Sequence, residues 1–409
     1  MPYVPKELDD DVEEEMIRVQ NAKPSEYAIK VDKIRKVYRT GDGRKKVAVD
    51  RVSFGIKNGE CFALLGVNGA GKTTTFKMLT GEVGPTAGEA YINGYKIPSQ
   101  MSQARQFIGY CPQFDALLEN LTSREHLELY AAIKGIPADK REALIEKQLH
   151  DLNLKQFENI CAGTYSGGNK RKLSVAIAMI GNPPIVFLDE PSNGMDPEAR
   201  RFMWDVISRI STERKHSSVI LTTHSMEEAE ALATKMAIQV EGNLRCIGSS
   251  QHIKSKYGGG YEIEIKVNLP TKEVIAQTVK ALRSKPNALL NYHGVRELLQ
   301  NAGAAHLEDE ISPAGVGAPI YYELQKGSVS VEYLVEWILI EKNGQQVHHL
   351  LQEHFKGVRL IEHFQSFFRY SIDSSISIGK VFGVFEDKKS EMNIMQYSIR
   401  QSTIEQIFN

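Results

Sequence analysis

The sequence predicts an α/β fold, a mostly parallel, helix-covered sheet followed by a smaller α+β domain. Three observations carry this. Apolar runs at Cys61–Leu65, Ile185–Leu188 and Val219–Leu221 are short and alternate with helical stretches, the pattern of buried parallel strands. The segment GVNGAGKT, Gly66 to Thr73, fits GxxxxGK[ST] with no departure and lies between one such strand and a helix, the context a phosphate loop requires. Past the glycines at 258–260, Tyr261–Val267 alternates apolar and polar residues, as a half-buried strand does.

In chain order, residues 1–27 are charged and Pro-containing and read as a linker with one exposed helix around Asp10–Gln20. Ile29–Val31 and Val52–Ile56 alternate as strands, and Lys72–Thr80 is helical with Gly81 as its C-cap. Thr122-Ser-Arg-Glu125 is a capping box that opens the helix Glu125–Lys134. A second helix, Ala138–Leu152, completes a helical insertion over about residues 115–170. Helices at Lys170–Ile180 and Pro197–Thr212 flank the strand at 185–188. The first domain is therefore expected over 28–257 and the second over 261–409. In the second, a helix at Lys272–Lys285 precedes an irregular insertion over 286–327. Strands are expected near 331–340 and 358–372, a helix near 377–388 and a strand at Ile394–Ile399.

Composition narrows the function. Lys plus Arg number 50 against 51 Asp plus Glu, so no overall basic field for nucleic acid exists. The longest apolar runs, such as Val175–Ile180, fall far below the roughly 20 residues of a membrane span. The acidic stretch from Glu7 to Glu15 is a solvated face and the opposite of a secretory n-region. Cys61, Cys111, Cys161 and Cys246 form no CxxC pair and read as reduced thiols acting as small buried hydrophobes. His348, His349, His354 and His363 suit an exposed helix and a strand better than a metal site.

The chemistry gathers at three places. In the phosphate loop, glycine-permitted backbone amides and the helix dipole make an anion nest, with Lys72 on the β- and γ-phosphates and Thr73 on Mg²⁺. Asp189 and Glu190 end the apolar run at 185–188, placing one carboxylate to hold Mg²⁺ through water and the other to orient or deprotonate an attacking water. Thr164-Tyr-Ser166-Gly167-Gly168-Asn169 opens a helix and offers a second anion-binding face, or a plain helix cap.

Walker A at 66–73, the glutamine strand ending at Gln113, Ser-Gly-Gly at 166–168, Walker B at 185–190 and His224 occur in this order. The chain thereby resembles the nucleotide-binding domain of ATP-binding cassette (ABC) transporters. The strings GYCPQFD at 109–115, YSGGNKRKLS at 165–174, GMDP at 194–197 and THSMEE at 223–228 look like subfamily A, the lipid-exporter group. GECF at 59–62 with LGVNGAG at 65–71 is most like its second cassette, and YSIRQSTIEQIF at 397–408 resembles the end of its regulatory domain.

The resemblance implies a RecA-like P-loop NTPase core with a helical subdomain, then a ferredoxin-like regulatory domain. It implies that ATP and Mg²⁺ are bound by Tyr38 on the adenine and by Gly66, Asn68, Gly69, Ala70, Gly71, Lys72, Thr73 and Thr74 on the phosphates. Gln113 senses Mg²⁺ and water, His224 is the switch histidine, and Asp196 lies in the loop between paired cassettes. Catalysis falls to Glu190, His224, Gln113 and Lys72, and the metal to Thr73, Gln113 and Asp189. A second cassette pairs head-to-tail and adds Ser166, Gly167, Gly168 and Asn169 across the interface. Transmembrane domains, in this chain's own polypeptide or a separate one, dock beside the glutamine strand, where Phe114, Leu117, Leu118 and Leu121 read equally as the apolar socket or as core of the helical insertion. The motor then sits on the cytosolic face of a membrane.

Two strings depart from common patterns. The signature begins with Tyr165 and ends with Asn169, a variation subfamily A shares, and Ser192-Asn193 replaces the usual pair of threonines. Two other functions fit the same residues, a soluble or structural ATP-binding component that transports nothing and a sensor that binds without turnover. Glu190 and His224 disfavour the sensor.

Overall fold

Alternating buried strands and helices build the first of two units, Met1–Ile253, and Lys254–Asn409 forms the second. The computed structural model describes residues 9–408 except 40, 42, 214–216, 259, 374 and 375. The first eight residues of the expected linker, with Glu7, and the boundary Gly259 therefore lie outside the described residues.

In the first unit, α1 (Asp10–Asn21) leads into β1 (Ile29–Arg39), β2 (Lys45–Ile56), β3 (Cys61–Leu65), α2 (Lys72–Leu79), β4 (Ala87–Ile92), β5 (Tyr95–Ile97), α3 (Met101–Ala104) and β6 (Ile108–Cys111). The helices α4 (Ser123–Ile133), α5 (Ala138–Asp151) and α6 (Gly167–Ala178) follow. Then come β7 (Ile185–Asp189), α7 (Pro197–Ser208), β8 (Ser218–Thr223), α8 (Met226–Leu232), β9 (Lys235–Val240) and β10 (Asn243–Gly248), and the division between the units falls within α9 (Ser250–Tyr257).

A six-stranded sheet runs in the order β10-β9-β3-β8-β7-β6, with a second, antiparallel sheet β2-β1-β4-β5. All neighbours from β9 to β6 are parallel. Phe54 stacks on Phe62 at 4.9 Å between centroids and Phe76 meets Phe187 edge-on at 5.5 Å, filling the core between the sheets. Each such ring contributes about 1.5–3 kcal/mol by leaving water. Register pairs Leu65 with Thr223, Asp189 with Thr222 and Leu188 with Cys111. The C-terminal ends of β3, β8, β7 and β6 thus form one edge, where ligands of open α/β sheets bind.

The expected exposed helix of the linker is instead packed. In α1, Val12 and Val19 share one face and are buried with Glu15. Glu15 Oε1 accepts from the Gly55 amide (2.9 Å) and lies 2.6 Å from Lys235 Nζ, which satisfies a carboxylate that composition assigns to water. The capping box at Thr122 forms as expected, with Glu125 Oε2 accepting from the Thr122 amide at 2.8 Å. Cys161 is exposed, contrary to the expectation for all four thiols, while Cys61, Cys111 and Cys246 are buried.

The second unit contains β11 (Tyr261–Val267), α10 (Lys272–Ala281), β12 (Leu289–Leu290), α11 (Tyr292–Asn301), α12 (Ala318–Gln325), β13 (Val329–Ser330) and α13 (Val331–His354). It ends with β14 (Arg359–Phe364), β15 (Phe367–Ile372), α14 (Ile378–Lys388), β16 (Ile394–Gln401) and α15 (Ile404–Phe408). The sheet β14-β15-β11-β16 is antiparallel throughout. The succession β11-α13-β14-β15-α14-β16 is the βαββαβ ferredoxin-like arrangement.

The strand expected near 331–340 is wrong. Its apolar run begins the 24-residue α13, capped by Ser330, because Val331, Leu334, Val335 and Ile338 recur at helical spacing. The stretch 286–327 is not irregular either. It folds as α11 and α12 around a local core containing Leu298, Leu299 and Ile320. Of the histidines, His363 Nε2 lies 3.3 Å from the buried Glu341 and His348 stacks on Tyr370.

Candidate nucleotide site

At the sheet edge, β3 runs straight into the phosphate loop and α2 leaves it. Gly71 is the N-cap of α2 with φ +107°, and a Cβ there would meet Ala48 O at 2.5 Å and Gln239 Nε2 at 2.8 Å. A Cβ on Gly66 would lie 2.5 Å from Gln239 O. The loop thus rests on strand β9, and these two glycines are what let it approach so closely. Its amides and the α2 N-terminus border a cavity of about 630 Å³. Tyr38, Asn68, Gly69, Ala70, Gly71, Lys72, Thr73, Thr74, Gln113 and Glu190 all line that cavity.

Lys72 Nζ donates to the carbonyls of Gly66 (2.5 Å) and Val67 (3.4 Å) and lies 3.8 Å from Glu190 Oε1. Burial pushes its ammonium below the usual lysine range, and Glu190 and Asp189 oppose that shift. The other oxygen of Glu190 faces His224 Nδ1 at 3.2 Å. Glu190 therefore stands between Lys72 and His224. Its own backbone is left-handed, φ 50°, a conformation costing about 1–3 kcal/mol in a non-glycine residue. The Glu190 amide holds it there by donating to Thr222 O and Thr222 Oγ1, both at 3.1 Å.

Asp189 is buried, is not among the residues that line the cavity, and accepts from Thr222 Oγ1. Burial raises its carboxyl pKa and the Thr222 hydrogen bond counteracts this. Ser166, Gly167, Gly168 and Asn169 lie elsewhere and none lines the cavity. They open α6, where Ser166 Oγ accepts from the Asn169 amide at 3.4 Å, and Ser166 and Gly167 are exposed. One half of the expected site is thus gathered and the other is held apart.

Sequence reading missed the residues that hold the gathered half together. From α6, Arg171 Nε donates to Pro191 O at 3.1 Å. Its guanidinium also reaches Gln113 O (3.4 Å), Asp115 Oδ1 (3.2 Å) and Glu190 O (3.1 Å), joining the Gln113 loop to the catalytic edge. Lys46, Val47, Ala48 and Glu241 also line the cavity. The available signal was a polar residue inside an apolar strand, which marks Gln239 and Thr222.

A phosphate loop at the carboxyl edge of a parallel sheet, an acidic pair on the adjoining strand and a helical insertion carrying a second glycine-rich helix start define an ATPase of the cassette class. Comparison with known proteins agrees. The ABC transporter family model matches residues 49–193, and the ABCA1-like, C-terminal R1 regulatory domain matches 334–401.

The chain is 50% identical over 267 residues to human retinal-specific phospholipid-transporting ATPase ABCA4, covering 65% of this chain and 12% of that protein. It is 51% identical over 252 residues to rat phospholipid-transporting ATPase ABCA3, covering 61% and 14%. The chain therefore spans a small part of the length of the curated relatives it matches. A solved dimeric bacterial ABC transporter cassette, MJ0796, is 25% identical with TM-score 0.50, covering 54% of this chain and 98% of its own. The chain carries a nucleotide-binding domain of the subfamily A ABC type and an ABCA1-like R1 regulatory region.

Proposed function

We propose that this chain is the ATP-hydrolysing motor of a lipid transporter, acting through a head-to-tail pair of cassettes. The observation that carries the reading is the placement of the Glu190 carboxylate between Lys72 and His224 at the mouth of the phosphate loop. Tyr38 stacks on adenine, residues 66–74 wrap the phosphates, and Lys72 leaves its loop carbonyls for the β- and γ-phosphates. Glu190 takes the proton of the attacking water, whose oxygen bonds to the γ-phosphorus as the bond to ADP breaks. His224, hydrogen-bonded to Glu190, contacts the γ-phosphate.

Thr73, Gln113 and Asp189 supply hydroxyl, amide and carboxylate oxygens, a hard donor set that fits Mg²⁺. When bound, Mg²⁺ neutralises phosphate charge. Ser166–Asn169 of the second cassette cover the γ-phosphate from the other side. In support, these residues lie on an exposed helix start away from the cavity and the MJ0796 cassette is dimeric. Exposed Phe114 and Leu118 beside Gln113 offer transmembrane domains an apolar socket on the cytosolic face. The phospholipid-transporting names of the relatives support lipid as the cargo.

Glu190→Gln should retain ATP and lose about 10²–10⁴-fold in turnover, and parental turnover in that variant overturns the catalytic assignment. An antibody to residues 261–409 should detect, in native membranes, a band far larger than this chain. A soluble band of this chain's own size would favour the non-transporting reading.

A further inference from the structure

Ser225-Met-Glu-Glu228 has the spacing of a capping box, in which the glutamate turns back to the N-cap amide of its own helix. Glu125 does so in α4 and is exposed. Glu228 does not. Ser225 Oγ caps α8 by accepting from the Glu228 amide (3.3 Å), while the Ser225 amide donates to Thr223 Oγ1 (2.9 Å). The Glu228 side chain turns inward and is 1% exposed.

There its carboxylate accepts from Trp204 Nε1 at 3.2 Å, and it lines one small cavity together with Ser192 and Thr223. Those three residues belong to three different segments. Thr223 immediately precedes His224, and Ser192 lies two residues beyond Glu190 in the loop to Asp196. Trp204 is on α7, which Asp196 caps through the Glu198 and Ala199 amides. A cavity of about 80 Å³ where these segments meet is lined by Glu190, Ser192, Arg200, His224 and Glu228. Glu228 is the side chain that spans them.

We propose that Glu228 is a positioning residue for ATP hydrolysis. It fixes His224 and the 190–196 loop relative to each other, so that an incoming cassette that meets the Asp196 loop finds Glu190 and His224 already aligned. The inference rests on the hydrolytic roles proposed for those two residues. It places Glu228 in no contact with nucleotide, since the cavity that takes ATP has none of its atoms in its lining.

The test is steady-state ATP turnover by the full 409-residue chain, with Glu190→Gln run in parallel. Glu228→Ala should lower kcat by about 10- to 100-fold, the scale of a misaligned reacting group, with KM for Mg-ATP unchanged. Glu228→Gln, which keeps an acceptor for Trp204 and can donate to a serine or threonine oxygen, should restore kcat to within about threefold. Parental kcat in Glu228→Ala overturns the proposal. So does a parallel loss of kcat and ATP binding that Glu228→Gln fails to rescue.

If Glu228→Ala does not fold, Ser192→Ala and Trp204→Phe carry the test. Each should lower kcat without changing KM, and parental kcat in both overturns the proposal. Parental turnover in Glu190→Gln would sink the hydrolytic reading itself. Loss there with parental turnover in Glu228→Ala would sink only the positioning role.

Discussion

The phosphate loop and the turn at Ser166 are both glycine-rich helix starts, yet their surroundings differ completely. The first is walled by β2, β9, Gln113 and Glu190 and borders the 630 Å³ cavity. The second is exposed, caps its own helix and does not line that cavity. A helix N-terminus alone is a weak anion site worth a fraction of a kcal/mol when solvated. The loop becomes a strong site because strands bring Lys72 and buried walls to it. The turn at Ser166 can become one only when another surface covers it, and α6 meanwhile sends Arg171 back to the Gln113 loop and Glu190. On the proposed pairing of cassettes, the two starts are halves of different sites.

That contrast has measurable edges. Lys72→Ala should weaken ATP binding by about 2–5 kcal/mol, the loss expected when one side of a buried charge contact is removed, as read by nucleotide titration. Ser166→Glu should leave the single chain's ATP affinity unchanged and lower turnover by about 100-fold or more, because a carboxylate would face the γ-phosphate only in a pair. Equal loss of affinity in both variants would break the comparison.

Gly71→Ala should cost about 1–3 kcal/mol through its positive φ and the Ala48 and Gln239 contacts, whereas Gly167→Ala, with open space at its Cβ, should leave folding unaffected. Thermal melts distinguish them. Tyr38→Ala should weaken ATP binding by about 1–3 kcal/mol, the worth of a base on an aromatic ring, with guanine and adenine nucleotides affected alike.

The smallest effect is a pH dependence. Burial raises the carboxyl pKa of Glu228 above its usual range. A carboxyl that binds its proton more tightly in the folded state loses stability as pH rises from the ordinary glutamate range toward the folded value. Glu228→Gln should therefore melt higher than the parent at neutral pH, and the gap should close below about pH 4.

The gathered half of the site was legible because its chemistry is contiguous. Lys72 and Thr73 follow their loop directly, and Asp189 and Glu190 end an apolar run whose strand is set by its neighbours. Arg171 and Glu228 were not legible. Arg171 acts on residues 18 to 59 positions away, and Glu228 sits in a string that reads as an ordinary helix cap. Only tertiary packing turns either inward. The same limit misread the run at 331–340, whose β-branched residues favour a strand locally while a repeat sustained to His354 makes it a helix. In α1, two valines seven residues apart were outweighed by acidic composition, although they are what buries the helix.

The most direct measurement mixes two chains that are each inactive, Lys72→Ala and Ser166→Glu, and follows ATP turnover. If each site takes one half from each cassette, a mixed pair holds one intact site, and an equal mixture should recover about a quarter of the parental rate. A mixture that stays inactive while the parent hydrolyses ATP would show that both halves act within one chain and would contradict the account.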